Sequence, residues 1–263
     1  MSRAREFVLT IAVTFTSRIL FLRDRLLRRV NRDIHISARD RGASRHSIPS
    51  GRNTLDAILV RPDPIAVRAA VLICHGIGET VQHWLPVQQL LAGNGIASLS
   101  FDYSGYGRST GIFSSTQAEL DTISAFHALQ EFTNPLCISV LGFSLGSGVA
   151  AAIIGKVPAR HLILCAAFTS LQKAARSIGI PWPFSFLAPP IWNTGHALTT
   201  CSLPLLVVHG EKDRLFPVRM AEELVALCGS ETDLVIVPEL SHKAPYFRPD
   251  LSYWSVIISW ILT

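Results

Sequence analysis

Along the chain, short apolar runs alternate with longer stretches in which apolar residues return every three or four positions. Residues 54–60 alternate as a half-buried strand does, then stop at Arg61-Pro62-Asp63-Pro64. Residues 69–74, 96–101, 136–141, 161–166 and 204–208 are continuous apolar runs of the kind buried on both faces of a parallel sheet. Helical periodicity falls between them. Residues 82–92 carry Trp84, Val87, Leu90 and Leu91. Residues 116–132 open on a capping box, Thr116-x-x-Glu119, and set Leu120, Ile123, Phe126, His127 and Leu129 on one side. Residues 145–155 are small and apolar, and 220–228 follow Pro217. A short strand at 234–237 and a helix at 251–262 close the chain. This alternation predicts an α/β fold with a doubly wound, mostly parallel sheet of about eight strands and helices on both faces.

Two stretches break the rhythm. Residues 37–53 are rich in Arg, Ser and Gly and read as a linker or loop. That divides the chain into an arm at 1–53 and a globular domain at 54–263. Residues 171–203 carry Pro181, Pro183, Pro189 and Pro190 among Trp182, Phe184, Phe186 and Trp192. An irregular aromatic insert of this length inside a compact domain reads as a lid or binding loop.

Charge separates the arm further from the body. Apolar residues make up 49% of the chain and charged residues 16%, which excludes a disordered chain and predicts a large core. Residues 1–52 hold 12 arginines and four acids, a net of +8, whereas the remainder is net −3. The body is therefore mildly acidic, and no nucleic-acid partner is expected. In the arm, the apolar stretch 7–17 is interrupted by Arg18. It then gives way to Arg23, Arg25, Arg28, Arg29 and Arg32 among Leu22, Leu26, Leu27 and Val30. It is short for a spanning helix and lacks a leader-peptide cleavage pattern. At helical spacing, residues 1–32 read as a basic amphipathic segment for peripheral contact with an anionic membrane, or as an ordinary helix packed on the body. The expected location is cytoplasmic, with membrane association through that segment as its variant. Five scattered cysteines fit a reducing compartment, and no metal or other cofactor is implied.

The candidate chemistry starts at Gly142-Phe143-Ser144-Leu145-Gly146, between a buried strand and the helix after it. A sharp strand-to-helix turn exposes the serine hydroxyl and brings helix amides near the reacting oxygen. His75-Gly76-Ile77-Gly78 ends an earlier buried strand, where a backbone amide reaches the same region. Asp213 follows the strand at 204–208, and His242 follows the last strand. Serine, acid and histidine in that order, each beyond a strand's C-terminal end, is the order the hydroxyl-activating triad takes on such a sheet. Glu211 is a rival for the acid. Among the other histidines, His75 and His209 read as loop-orienting, His127 as packing, and His196 and His83 as pocket candidates. Asp102 reads as the anchor of the glycine-rich loop after it.

With these marks, the chain resembles the α/β-hydrolase-fold serine hydrolases, a superfamily of esterases, lipases, thioesterases and serine aminopeptidases. The resemblance covers about residues 54–263 and rests on His75-Gly76, Asp102-Tyr-Ser-Gly-Tyr-Gly-Arg-Ser109, the Gly142–Gly146 elbow, His209-Gly-x-x-Asp213 and His242. It implies that Ser144 is the nucleophile, His242 the general base and Asp213 the acid that orients it. It further implies that the backbone amides of Ile77 and Leu145 form an oxyanion hole, with an acyl-enzyme on Ser144 as intermediate.

The substrate is read from the insert. No Asp or Glu lies between Glu131 and Glu211, so the insert has no anion for a substrate ammonium, and Lys173 and Arg176 are few cations for phosphates. Trp182, Phe184, Phe186, Trp192 and His196 are the expected pocket residues, suited to an apolar acyl group. A small-molecule ester or thioester is the expected partner. An amide or peptide hydrolase, and a catalytically silent binding protein on the same fold, are the rival readings.

Overall fold

A computed structural model describes residues 41–133, 137–177, 185, 191–242 and 246–263. The arm at 1–40 and the aromatic residues Trp182, Phe184 and Phe186 lie outside the described residues.

Eight strands form one sheet: β1 (Ala43–Ser50), β2 (Asn53–Val60), β3 (Ala69–Cys74), β4 (Ile96–Phe101), β5 (Ile138–Phe143), β6 (His161–Cys165), β7 (Leu205–Gly210) and β8 (Thr232–Val237). Their spatial order is β1-β2-β4-β3-β5-β6-β7-β8. β1, β2 and β4 pair antiparallel, and every pair from β4 through β3 to β8 is parallel. The helices are α1 (Val81–Gly93), α2 (Ser115–Thr133), α3 (Leu145–Ile153), α4 (Leu171–Ser177), α5 (Thr194–Thr199), α6 (Val218–Leu227) and α7 (Trp254–Leu262).

Strand periodicity sorts the core into two layers. Leu72, Cys74, Val140, Leu162, Leu164 and Val207 point to one side and pack with Phe126, Val149, Leu198 and Leu224 from α2, α3, α5 and α6. Their chain neighbours Val71, Ile73, Leu141, Ile163, Leu206 and Val208 point to the other, against Trp84 and Leu91 of α1 and Trp254, Ile257 and Ile261 of α7. Burying each such side chain is worth roughly 1.5–3 kcal/mol. The central strands β3, β5, β6 and β7 are buried along their whole length, as continuous apolar runs require.

Three expectations are corrected. The segment read as a linker contains β1, so the sheet begins at Ala43 rather than at residue 54. β1 has one neighbour and a half-exposed face, which tolerates its Arg, Ser and His. Arg45 forks onto buried Asp56 of β2 with two bonds of 2.6 Å. The second correction is at α2, where Ser114 rather than Thr116 serves as the cap, its hydroxyl accepting the Gln117 amide at 3.1 Å. Glu119 instead pairs with Lys156 at 2.7 Å. The third is the buried face of α2, which is made of Ala118, Asp121, Thr122, Ala125, Phe126, Ala128 and Leu129. Leu120 is 51% exposed and His127 is exposed rather than packed.

Buried Asp121 sits on that face because it is fully used. Its carboxylate accepts from Ser50 Oγ at 2.6 Å, from the Ser104 amide at 2.7 Å and hydroxyl at 3.1 Å, and from Gln117 Nε2 at 2.8 Å. It ties β1, the loop after β4 and α2 together.

Candidate active site

The parallel strands deliver their C-terminal ends to one edge, and the sequence-predicted residues meet there. Ser144 joins β5 to α3 with φ 50° and ψ −114°, a left-handed conformation that costs a non-glycine residue about 1–3 kcal/mol. Surrounding bonds impose it: the Ser144 amide donates to Cys165 O at the end of β6 (3.0 Å), and its carbonyl accepts from the Ser147 amide (3.0 Å) and hydroxyl (2.6 Å). Gly146 lets α3 lie against β3, since a Cβ there would stand 2.0 Å from Cys74 O. A Cβ on Gly76 would stand 3.4 Å from Ser144 Cβ, which puts the turn after β3 beside the serine. Among the described residues, the amides of Ile77 and Leu145 donate to no partner.

Asp213 is buried in the turn after β7. One carboxylate oxygen accepts the amides of Leu215 (2.9 Å) and Phe216 (2.8 Å), and the other lies 2.8 Å from His242 Nδ1. Because the carboxylate only accepts, Nδ1 carries the proton and Nε2 presents its lone pair. Ser144 Oγ lies 3.0 Å from that Nε2, where its O–H donates. The imidazole, 15% exposed, stands between the rings of Phe143 (6.0 Å, stacked) and Phe216 (4.8 Å, edge-on). These two aromatic supports were missed from the sequence. Their signal was position alone, since each adjoins a motif residue.

The rivals separate cleanly. Glu211 is exposed on the same turn. His209 is buried and donates from Nε2 to Phe216 O at 2.7 Å, holding the turn that carries Asp213. His75 is buried against Tyr103 and Tyr106 and donates from Nδ1 to Gly76 O at 2.8 Å. His83 accepts the Thr80 amide at 3.0 Å and so closes the start of α1. His196 is exposed on α5, and its side chain makes no hydrogen bond or ring contact with Ser144, Asp213 or His242. Trp192, an expected pocket residue, is 6% exposed with φ 48° and packs in the core, its ring 6.1 Å from Phe113. Among the described residues, no group of three His, Cys, Asp or Glu side chains is placed to hold a metal ion. None of their helices is long and apolar enough to cross a membrane.

Glu79 was also undervalued. It accepts the Gly76 amide at 2.9 Å and the Trp84 indole N–H at 3.1 Å, clamping the turn that presents Ile77. Burial raises its carboxyl from 4.5 to about 7, and burial likewise raises Asp102, which receives the Val81 amide at 2.9 Å, from 3.8 to about 7. His75, 3.5 Å from Asp102, is lowered by burial to about 4, so it is neutral at neutral pH. The folded chain therefore holds protons on Glu79 and Asp102 that the unfolded chain has released. The stability these two carboxyls contribute falls as pH climbs from about 4 to about 7 and is gone above that, while the lowered His75 contributes with the opposite sign. Glu79→Gln keeps an oxygen for both donors and removes its share of the slope. Thermal midpoints measured from pH 4.5 to 8 are expected to converge at the acid end and favour the variant at pH 8. Parallel curves for the two proteins would show that Glu79 carries no such shift.

Comparison with known proteins agrees with this architecture. The profile of the family described as serine aminopeptidase, S33, matches residues 65–191. The chain is 31% identical over 179 residues to the uncharacterized protein Rv2307c of Mycobacterium tuberculosis, a match covering 67% of this chain and 63% of that protein. It is 27% identical over 208 residues to the lysophosphatidylserine lipase ABHD12 of Xenopus tropicalis, covering 70% of this chain and 52% of that one. The chain thus spans less than two thirds of these relatives' length. Among solved structures, the Pyrococcus furiosus esterase Pf2001 superposes with a TM-score of 0.66 at 20% identity, over 84% of this chain and 91% of the esterase. The protein belongs to the α/β-hydrolase-fold superfamily.

Proposed function

We propose that the protein is a serine hydrolase of carboxylic esters or thioesters with apolar acyl groups, acting through an acyl-enzyme on Ser144. The observation that carries this reading is the unbroken hydrogen-bonded line from Asp213 through His242 to Ser144. In this mechanism Ser144 Oγ attacks the carbonyl carbon as its proton passes to His242 Nε2. The oxyanion accepts from the amides of Leu145 and Ile77, and losing one such donor typically costs about 100- to 1000-fold. His242 gives its proton to the leaving alkoxide or thiolate. Water, deprotonated by the same nitrogen, then releases the acid and restores Ser144. Asp213 keeps the imidazole in its working tautomer and stabilises the imidazolium without taking the proton.

The acid-free, aromatic-rich insert favours a hydrocarbon acyl chain. Relatives named as lysophosphatidylserine lipases favour an ester of a single fatty chain, and the basic segment at 1–32 would suit an anionic lipid surface. Amide hydrolysis is the second reading, favoured by the serine aminopeptidase profile and by the carboxylate of Glu79 beside the oxyanion turn. The test compares p-nitrophenyl butyrate, p-nitrophenyl octanoate and aminoacyl-naphthylamides on wild type and Ser144→Ala. Turnover of the esters, lost in the variant together with fluorophosphonate labelling, is the expected result. Equal ester rates in the two proteins would overturn the proposal, and turnover confined to the naphthylamides would move it to the second reading.

A further inference from the structure

The cysteines are not equivalent. Cys74 and Cys165 are wholly buried in the sheet, and burial raises both thiols to about 12. Cys201 and Cys228 instead converge from separate segments. Cys201 follows α5 and donates through Sγ to Leu203 O at 3.8 Å. Cys228 ends α6, with its Sγ 3.2 Å from Ser230 Oγ, and Ser230 donates to the same Leu203 carbonyl. α5 and α6, which carry the two thiols at their ends, pack against each other. Two sulfurs on separate segments, one bonded to the Leu203 carbonyl and the other linked to it through Ser230, form a dithiol site.

We propose that Cys201 and Cys228 are a reversible oxidation site that closes to a disulfide in the presence of a hydroperoxide. Cys228 is half-buried and reacts first. Its sulfur attacks the peroxide oxygen, the O–O bond breaks, and a sulfenic acid forms as the peroxide leaves as alcohol or, from hydrogen peroxide, as water. The sulfur of Cys201 then displaces hydroxide from the sulfenic sulfur. The S–S bond forms, and the thiol proton leaves with the hydroxide as a second water. The two thiols together lose two electrons and two protons, and the peroxide takes up both. Cys201 is suited to this second role because its burial, which raises its thiol, shields it from direct attack.

The location fixes the consequence. Both cysteines precede the N-terminal ends of their next strands, β7 and β8, whereas Ser144, Asp213 and His242 stand at the C-terminal edge. The bridge would fasten the lower ends of α5 and α6, which pack together, and close a loop containing β7. It should therefore stabilise without reaching the triad.

In the test, full-length protein is treated with hydrogen peroxide and then alkylated, and its mass, peptide map and thermal midpoint are measured. The expected result is a loss of about 2 Da from one Cys201–Cys228 linked peptide, reversed by dithiothreitol. The thermal midpoint of the oxidised form should rise by about 5 °C. Cys201→Ala should lose the bridge and carry stable sulfinic acid at Cys228. Cys228 over-oxidised in the wild type while Cys201 stays alkylatable, or a link between another pair, would overturn the proposal. These readouts are independent of hydrolysis, so they stand or fall separately from the proposed activity.

Discussion

Asp213→Asn is expected to lower kcat/KM for a p-nitrophenyl ester by about 10⁴-fold while leaving the fold intact. The carboxylate has two separate duties: one oxygen receives the amides of Leu215 and Phe216, and the other faces His242 Nδ1. A carboxamide has one oxygen and one NH₂. If the oxygen stays on the two amides, the NH₂ meets Nδ1 and donates to it. The imidazole proton must then move to Nε2, and the lone pair that would take the Ser144 proton is gone. If the amide turns over, its NH₂ is pressed against two N–H donors, which is worse. The first arrangement wins, so the variant retains its turn and loses its base. The check pairs steady-state kinetics with a thermal melt. A loss under tenfold in a protein that melts normally would show that Asp213 does not set the tautomer.

The second large effect concerns Gly146. In Gly146→Ala the new methyl would meet Cys74 O at 2.0 Å, Cys74 C at 2.6 Å and His75 O at 2.8 Å. All three are backbone atoms at the end of a central strand, so no side chain can swing aside. Either α3 lifts off β3 or the turn carrying Ile77 shifts, and both separate the amides of Leu145 and Ile77 proposed to receive the oxyanion. Destabilisation of about 3 kcal/mol is expected. The protein that remains folded should lose about 100-fold or more in ester turnover. Urea midpoints and rates normalised to folded protein measure the two parts. A variant within about 1 kcal/mol of wild type would mean that the helix has room the geometry denies it.

What the sequence disclosed was local chemistry and strong periodicity. The elbow was legible because glycine, serine and glycine are demanded within five residues by one turn. The buried strands β3 to β7 were legible because continuous apolar runs of that length suit little else. β1 was not, because an edge strand with one partner needs no apolar face, and Ala43–Ser50 reads as polar loop. The rotation of α2 was misread because hydrophobicity placed Leu120 inward, whereas its buried face is led by Asp121, whose carboxylate is satisfied by Ser50 and Ser104, distant in sequence, as well as by Gln117 one turn away. The same holds for the pairing of Phe143 and Phe216 across His242. Contacts between segments far apart along the chain leave no periodic trace in either one.

The β1–β2 hairpin bears on how a shortened version is to be made. The arginine-rich lead invites removal at the apparent loop before residue 54. A cut there would strip the edge strand, take away the Arg45 fork from Asp56, and deprive Asp121 of the Ser50 hydroxyl. The severed edge of β2 would offer unpaired amides to any neighbour, an invitation to clump. A cut ahead of Arg41 keeps the hairpin and the Arg41 carbonyl that receives the Gln89 side chain of α1.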